Sequence, residues 1–418
     1  MQISLRSSAK KWTAAATVVA AATGYFAVAT TRLLADHFSR ADDDASLRRA
    51  VRLDPGNAEY RYRLGIRELA LQFPGRATPW LESAVQLNPD SSKYWINLAA
   101  ARQLLGDSEG EKSALDRALA VDPRTPETAW QAANFFLAAG LTDAAMQQFR
   151  TVLENDAPLT WPAMTTAWKI HPDADALLDN VVPPAANIPF LQFLISRNEP
   201  AAAQKVWAKI FDLQQPVERS DLLGYERYLL SHQQVEQAVL VWKQAARLAD
   251  IAAYQPSPEN LLVNGDFSLD ILNGGFDWAH ETQPGVAIAL DPSETHSGSR
   301  SLRITLDGAG ISDSGITQMV SVEPNTHYEF TAFYKAKDMD GAGALQFAIH
   351  DAYKATPLFA SEDLTDADFW KNAGGSFVTP AETHMVIVHV LRVPAGRPIR
   401  GKLWIDGLRL VQAGSEAR

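Results

Sequence analysis

The 418 residues are long enough for two or three domains with full cores, and 46% apolar with 21% charged residues is the composition of folded protein. Cysteine is absent, which excludes disulfides and thiolate metal sites. The net charge of -11 lies mostly after Pro256, where 21 Asp and Glu face 12 Lys and Arg; that sign excludes a phosphate-tracking nucleic-acid surface.

Taken in chain order, Trp12 to Thr31 contain no charged side chain, and a helix of that length crosses a bilayer. Arg6, Lys10 and Lys11 precede it, so the positive-inside rule keeps the N-terminus in the cytoplasm and exports the rest. The run is rich in Ala and lacks Leu and Ile. A cleaved signal with Ala27-Val28-Ala29 as its site is therefore the competing reading, and a plain buried helix a third. Residues 1–35 are read as a cytoplasmic tip and membrane anchor, or as a signal segment.

From Arg40 to Pro158 the sequence repeats every 34 residues. Leu-Asp-Pro ending at Pro55 returns as Leu-Asn-Pro at Pro89 and Val-Asp-Pro at Pro123. Ala50, Ala84 and Ala118 precede those prolines by five, Leu64-Gly65 returns as Leu98-Ala99 and Ala132-Ala133, and Gly106 returns as Gly140. Such a period predicts helix pairs that bury their apolar faces only by stacking on one another. The small residues predict close helix contacts, and the prolines end the second helix of each pair. Arg40 to Leu53 reads as a second helix whose first helix is the extended end of the membrane segment.

These residues resemble the tetratricopeptide repeat family, most clearly at Trp95, Leu98-Ala99, Leu115, Ala118 and Pro123. The resemblance implies that 36–158 form an α-α superhelical solenoid whose concave groove binds a protein or peptide partner, and it implies no chemistry. Two ladders with the 34-residue step are expected to line that groove: Glu59, Lys93, Glu127 and Arg63, Asn97, Gln131. They either read a partner or fill a solvated face. An Asn at the place of Asn97 often contacts a bound peptide in that family. The dense Lys and Arg set that clamps a terminal carboxylate is missing, so that ligand is not expected. After Pro158 the period blurs, then resumes as Ala203, Val206-Trp207, Ile210 and Ala238, Val241-Trp242, Ala245, so 159–253 read as degenerate repeats.

Pro256 and Pro258 mark 254–259 as a linker. From 260 to 412 the pattern alternates. Strands are expected at Asn260 to Val263, Val286 to Leu290, Ser301 to Leu306, Ile316 to Val322, His327 to Lys335, Leu345 to Ile349, Ser376 to Thr379, His384 to Val393 and Lys402 to Val411. These predict an antiparallel β-sandwich, followed by a tail at 413–418. The landmarks Asn260 to Phe267, Phe276-Asp277-Trp278, His296 to Leu302 and Trp404 to Leu410 resemble the jelly-roll carbohydrate-binding modules of the galactose-binding-like group.

That resemblance implies one structural calcium held by the opening loop, the Ser-Gly turn and an acid on the last strand. Asp406 matches the acid. Ser268 stands where the opening-loop Glu belongs, which leaves Asp266 as the nearby carboxylate. The competing reading is a turn held by hydrogen bonds without metal. Sugar recognition needs an aromatic face plus amides or acids, and Phe333, Gln346, His350 and Tyr353 are the expected binding face, with Trp278, Trp370 and Trp404 assigned to packing.

No Gly-rich phosphate loop or zinc-protease helix motif occurs, and the chain is not expected to be an enzyme. A glycan hydrolase would require two acids such as Asp351 and Glu362 to converge. The expectation is a non-catalytic envelope scaffold of bacterial type, anchored in the inner membrane with its bulk periplasmic, or secreted after signal cleavage. Its solenoid would hold a protein and its jelly roll a polysaccharide, as an accessory to surface polysaccharide assembly or export. The alternative is a protein-docking scaffold whose jelly roll has no glycan ligand.

Overall fold

The computed structural model describes residues 8–41, 43–155 and 158–414. Arg6 and the last part of the 413–418 tail lie outside the described residues. Two compact units divide the chain, Met1–Ala186 and Asn187–Arg418.

The first unit is helical: α1 (Ser8–Ser39), α2 (Asp44–Leu53), α3 (Ala58–Ala70), α4 (Pro74–Leu87), α5 (Ser92–Leu104), α6 (Ser108–Val121), α7 (Pro126–Ala138), α8 (Thr142–Glu154), α9 (Thr160–Ile170) and α10 (Ala174–Asn180). Helices α2, α4 and α6 stop two residues before Pro55, Pro89 and Pro123, where the sequence period ends them. Ala50, Ala84 and Ala118 have no exposed surface, and a Cβ at Gly65 would lie 2.6 Å from Leu81 Cγ. The repeated small residues thus stand where helices touch most closely. The turn between paired helices needs one left-handed residue, which Gly106 and Gly140 supply at φ +74. At the equivalent place before them Gln72 adopts φ 64. As expected, the end of α1 is the first helix of a pair: Ala35 and Ser39 are buried against α2, and the Arg49 guanidinium lies 4.3 Å from the Phe38 ring centroid.

The second unit begins with α11 (Asn187–Ser196), α12 (Pro200–Asp212), α13 (Arg219–Ser231) and α14 (Val235–Leu248). Trp207 and Trp242, spaced 35 residues apart in the degenerate period, are both buried. Trp207 Nε1 donates to Gln244 Oε1 at 2.8 Å, and Trp242 Nε1 donates to the Tyr254 carbonyl at 2.8 Å. The segment expected as a linker, 254–259, is a packed corner instead. Tyr254 is buried and its hydroxyl donates to the Asp270 carbonyl, while the Trp242 ring meets Phe276 edge-on at 5.8 Å. Gly275 sits at φ +63 under that indole, where a Cβ would fall 2.1 Å from Trp242 Cζ3. The helix ends at Leu248, where Asp250 turns left-handed at φ 52 well before the two prolines, and the buried tryptophan fixes the path the chain takes out of it.

Beyond the corner come β1 (Ala279–His280), β2 (Val286–Asp291), β3 (Ser301–Ile311), β4 (Asp313–Ser321), β5 (His327–Asp340), β6 (Ala344–Asp351), β7 (Pro357–Ala360), β8 (Ala367–Asn372), β9 (Gly375–Val378), β10 (Met385–Val393) and β11 (Arg397–Gln412). They form two antiparallel sheets, ordered β1-β4-β10-β6-β7 and β2-β3-β11-β5-β8 with β9 paired to β5. Ile304, Phe330, Phe347, Val388 and Leu403 fill the space between the sheets. Eight of the expected strands form. Asn260 to Val263 does not: it shares one ladder bond with β11, from Leu261 N to the Leu410 carbonyl, and is otherwise gripped by the side chains of Asn260 and Gln318. Strands β1, β7 and β8 were not expected, because they are short and β8 lacks an alternating apolar face.

One acid in the helical layer is fully enclosed. Glu226 on α13 has no exposed surface, and neither carboxyl oxygen has a hydrogen-bond partner. Burial pushes its pKa well above the ordinary carboxyl value. The unfolded chain then ionises first, so the stability it contributes is full at acid pH and is lost as pH rises toward the folded value. Glu226→Gln should abolish that slope: its urea midpoint should gain on the wild type between pH 5 and pH 8. Parallel midpoints for the two proteins across that range would show that Glu226 is not held neutral.

Candidate functional site

The solenoid ladder is partly built. Lys93 Nζ reaches Glu59 Oε2 at 2.8 Å across one 34-residue step, and the Tyr94 hydroxyl donates to the same oxygen at 2.8 Å. Burial raises the Glu59 pKa, but these two hydrogen bonds outweigh it and hold the carboxylate below its ordinary value. Asn97 Nδ2 donates to the Lys93 carbonyl at 2.7 Å and to the Tyr62 hydroxyl at 3.3 Å. Arg63 is half-buried on α3, and Glu127 and Gln131 are exposed on α7. Lys93 and Glu59 keep about half their side-chain surface in water, and such a pair is worth about 0–1 kcal/mol.

In the sandwich, strand register assembles a second surface. On the outer face of β6, β10 and β4, His350 stands beside Ile387 and Met319, Ala348 beside His389 and Thr317, and Gln346 beside Leu391 and Asp313. The alternate residues of these strands, Leu345, Phe347, Ile349, Val386, Val388 and Val390, point into the core. Two of the expected glycan residues, Gln346 and His350, therefore share one face. Gln346 Nε2 donates to Asp363 Oδ1 at 2.8 Å. His350 meets His389 edge-on at 4.8 Å, and His389 Nδ1 donates to Asp313 Oδ2 at 2.9 Å, leaving its buried Nε2 without a partner. Burial, then the neighbouring His389, lower the His350 pKa from its ordinary value. His389 and Asp313 were missed because His389 sits inside an apolar run that reads as a core strand; a lone imidazole in that run was the available signal.

The other two expected glycan residues are elsewhere. Phe333 lies on the opposite sheet, stacked on His296 at 3.6 Å, with Trp370 edge-on to His296 at 5.7 Å. That ring is spent in holding the loop before β3; Phe369, the neighbour of Trp370 on β8, is 84% exposed. Tyr353 follows β6 and lines a cleft of about 450 Å³ with Gln204, Gln237 and His384; its hydroxyl is buried without a partner, and its pKa is pushed up to about 12, by burial first and then by Asp351. Asp351 itself accepts from Tyr353 N, Lys354 N and Thr383 Oγ1. It closes a turn and is not placed as a catalytic acid.

Asp406 and Asp266 do not fit a calcium ion. Asp406 is fully buried, and its two oxygens accept from His296 N at 2.6 Å, Ser297 N at 2.8 Å, Ser297 Oγ at 2.9 Å and Gly407 N at 2.6 Å. Four donors aimed at one carboxylate fill its lone-pair sites and present positive hydrogens where a cation would sit. Asp266 accepts from Ser268 N and Ser268 Oγ. Among the described residues no group of three His, Asp or Glu is arranged for a metal.

With this geometry in place, residues 259–393 match the sequence model of the carbohydrate binding domain family. Solved structures similar to parts of the chain include MamA, at 20% identity and a TM-score of 0.30 over 39% of this chain and 91% of that one. Another, described as "CBM4 structure and function", has 15% identity and a TM-score of 0.29 over 36% and 99%. The CBM22-1 xylan-binding domain from Paenibacillus barcinonensis Xyn10C has 16% identity and a TM-score of 0.27 over 36% and 94%. No curated protein matches the sequence. The chain is a tetratricopeptide-like helical array followed by a domain like the carbohydrate-binding modules.

Two outcomes are expected at these sites. Asp406→Ala should lower stability by about 1–3 kcal/mol, the cost of stranding buried donors, whereas chelator or added calcium should leave the wild-type melting temperature unmoved. A calcium-dependent rise would show that the turn opens to take the ion. In an NMR titration the His350 imidazole should stay neutral to lower pH than a free one, and His389→Gln should move it back up; no movement would remove His389 as a cause.

Proposed function

We propose that this chain is a non-catalytic envelope scaffold, membrane-anchored through α1, whose solenoid holds a protein partner and whose sandwich binds glycan in support of surface polysaccharide assembly or export. The match of residues 259–393 to a carbohydrate binding domain carries this reading. The Gln346 amide and the His350 imidazole supply hydrogen-bonding groups of the kind sugar hydroxyls need, on one face of one strand. For the anchor, Lys11–Ser39 is long and apolar enough to cross a membrane, and little of it is buried in the protein.

A second reading, docking of a protein on the same face, is favoured by a specific observation. Met319, Ile387 and Leu391 lie among the nine residues of that face, and none of the nine is Trp, Tyr or Phe. A sugar ring finds no aromatic platform there.

Applied to a glycan array, the detergent-solubilised full chain should bind one glycan class saturably. The double variant Gln346→Ala, His350→Ala should weaken that binding about tenfold or more, the loss of about 1.4 kcal/mol of hydrogen bonding. Absence of binding across the array would overturn the glycan reading in favour of the docking one.

A further inference from the structure

A cavity of about 930 Å³ in the first unit has α1 as one wall. Tyr25, Val28 and Arg32 line it from α1, and Asp54, Asn57 and Asn88 line it from the turns that end α2 and α4. The α1 wall is graded. Tyr25 and Val28 belong to the charge-free run and are 72% and 51% exposed, and one turn later comes Arg32. The facing wall carries the polar side chains of Asp54, Asn57, Glu59 and Asn88 together with the apolar Ala58 and Leu87. Neither Arg32 nor Asp54 has an ion-pair partner among the described residues, whereas the other acids of the cleft are engaged, Asp36 with Arg40 and Glu59 with Lys93.

This inference rests on the reading of α1 as a membrane span. The helical rise from Lys11 to Arg32 is about 31 Å, which matches a hydrocarbon core of about 30 Å. Arg32 then stands at the level of the lipid phosphates, and the turns carrying Asp54, Asn57 and Asn88 stand beside it. We propose that the cleft is a binding site for the headgroup of a zwitterionic aminophospholipid from the bilayer that α1 crosses. The phosphate would pair with Arg32, the primary ammonium with Asp54, the two asparagine amides would take the ester and phosphate oxygens, and the acyl chains would run along Tyr25 and Val28. An anionic headgroup is the poorer match, because it offers nothing to Asp54 and meets two further carboxylates. The cleft volume lies within the range of 300–1,000 Å³ that small ligands fill.

The test uses the full chain in nanodiscs of mixed phosphatidylethanolamine, phosphatidylcholine and phosphatidylglycerol, with native mass spectrometry of the released protein. One retained phosphatidylethanolamine per chain is expected, in preference to the other two lipids. Retention should fall at least fivefold in Arg32→Ala and in Asp54→Asn, with the melting temperature of each variant unchanged. Equal retention of the three lipids, or retention indifferent to both substitutions, overturns the proposal, as does a polypeptide found in the cleft by crosslinking. Alkaline carbonate extraction separates the anchor from the site: release of the chain from membranes defeats the anchor reading and this site with it, whereas a chain that stays inserted but retains no lipid defeats only the site.

Discussion

The helical array depends on contacts made by residues too small to hold their helices apart. Ala50, Ala84 and Ala118 are wholly buried, and Gly65 lies so close to Leu81 that a single methyl would overlap it. An added methyl at such a place costs about 1–3 kcal/mol, because neighbouring helices must separate along their length. Each pair obtains its burial from the next, so the array holds or loosens as a chain of interfaces. The N-terminal helix is part of this scheme. Ala35 is as buried as the alanines of the repeats, so the apolar helix is the opening member of the array and not an appendage to it. An exchange of α1 for an unrelated helix would strip α2 of the surface it packs on.

In the sandwich the corresponding role falls to β11. Asp406 collects the backbone of the loop before β3, and Asn260 bonds to the Leu408 carbonyl and to Leu410 N, stapling the opening segment without a strand ladder. Gly265 passes so near the Leu408 carbonyl that a Cβ would fall 2.1 Å from it. A carboxylate with four donors and an asparagine with both ends occupied are structural groups, however much their residue types suggest ligands. The same holds for Asp291, which accepts from the indole of Trp404 and pairs with Arg303; burial raises its pKa, but its hydrogen bonds and Arg303 outweigh that and bring it to about 2.

This division explains which features were legible in the sequence. The period showed the helix pairs because close packing restricts a position to Ala or Gly, and that restriction survives in a single sequence. It faded at Gln72, where a left-handed turn is made without glycine. Strands with one buried face announced themselves by alternation, whereas β8, exposed on most of its length, did not. The candidate sites were harder to read. Gln346 and His350 were identified and do share a face, yet His389 and Asp313, their neighbours through pairings of β6 with β10 and β10 with β4, are separated from them by tens of residues. Phe333 stood on the outer face as alternation requires, but the loop that covers it comes from a segment no local pattern connects to it. Asp406 shows the limit most plainly, since a cation and a cluster of N–H groups ask for the same residue.

The absence of an aromatic platform bears on what kind of ligand the sandwich face suits. Hydrogen bonds exchanged with water contribute a net 0.5–1.5 kcal/mol each, so a few amide and imidazole contacts without ring stacking give weak binding to a short oligosaccharide. Under the glycan reading that weakness is not a defect. A polymer offers the same unit many times, and a site that α1 held near a membrane would meet it at high effective concentration, with avidity exceeding the affinity of any one contact. Weak single contacts also release quickly, which lets a chain slide past while it is kept from diffusing away. Tight capture of a small sugar would demand stacking aromatics that this face lacks, so under the glycan reading the ligand that suits the face is a long polymer.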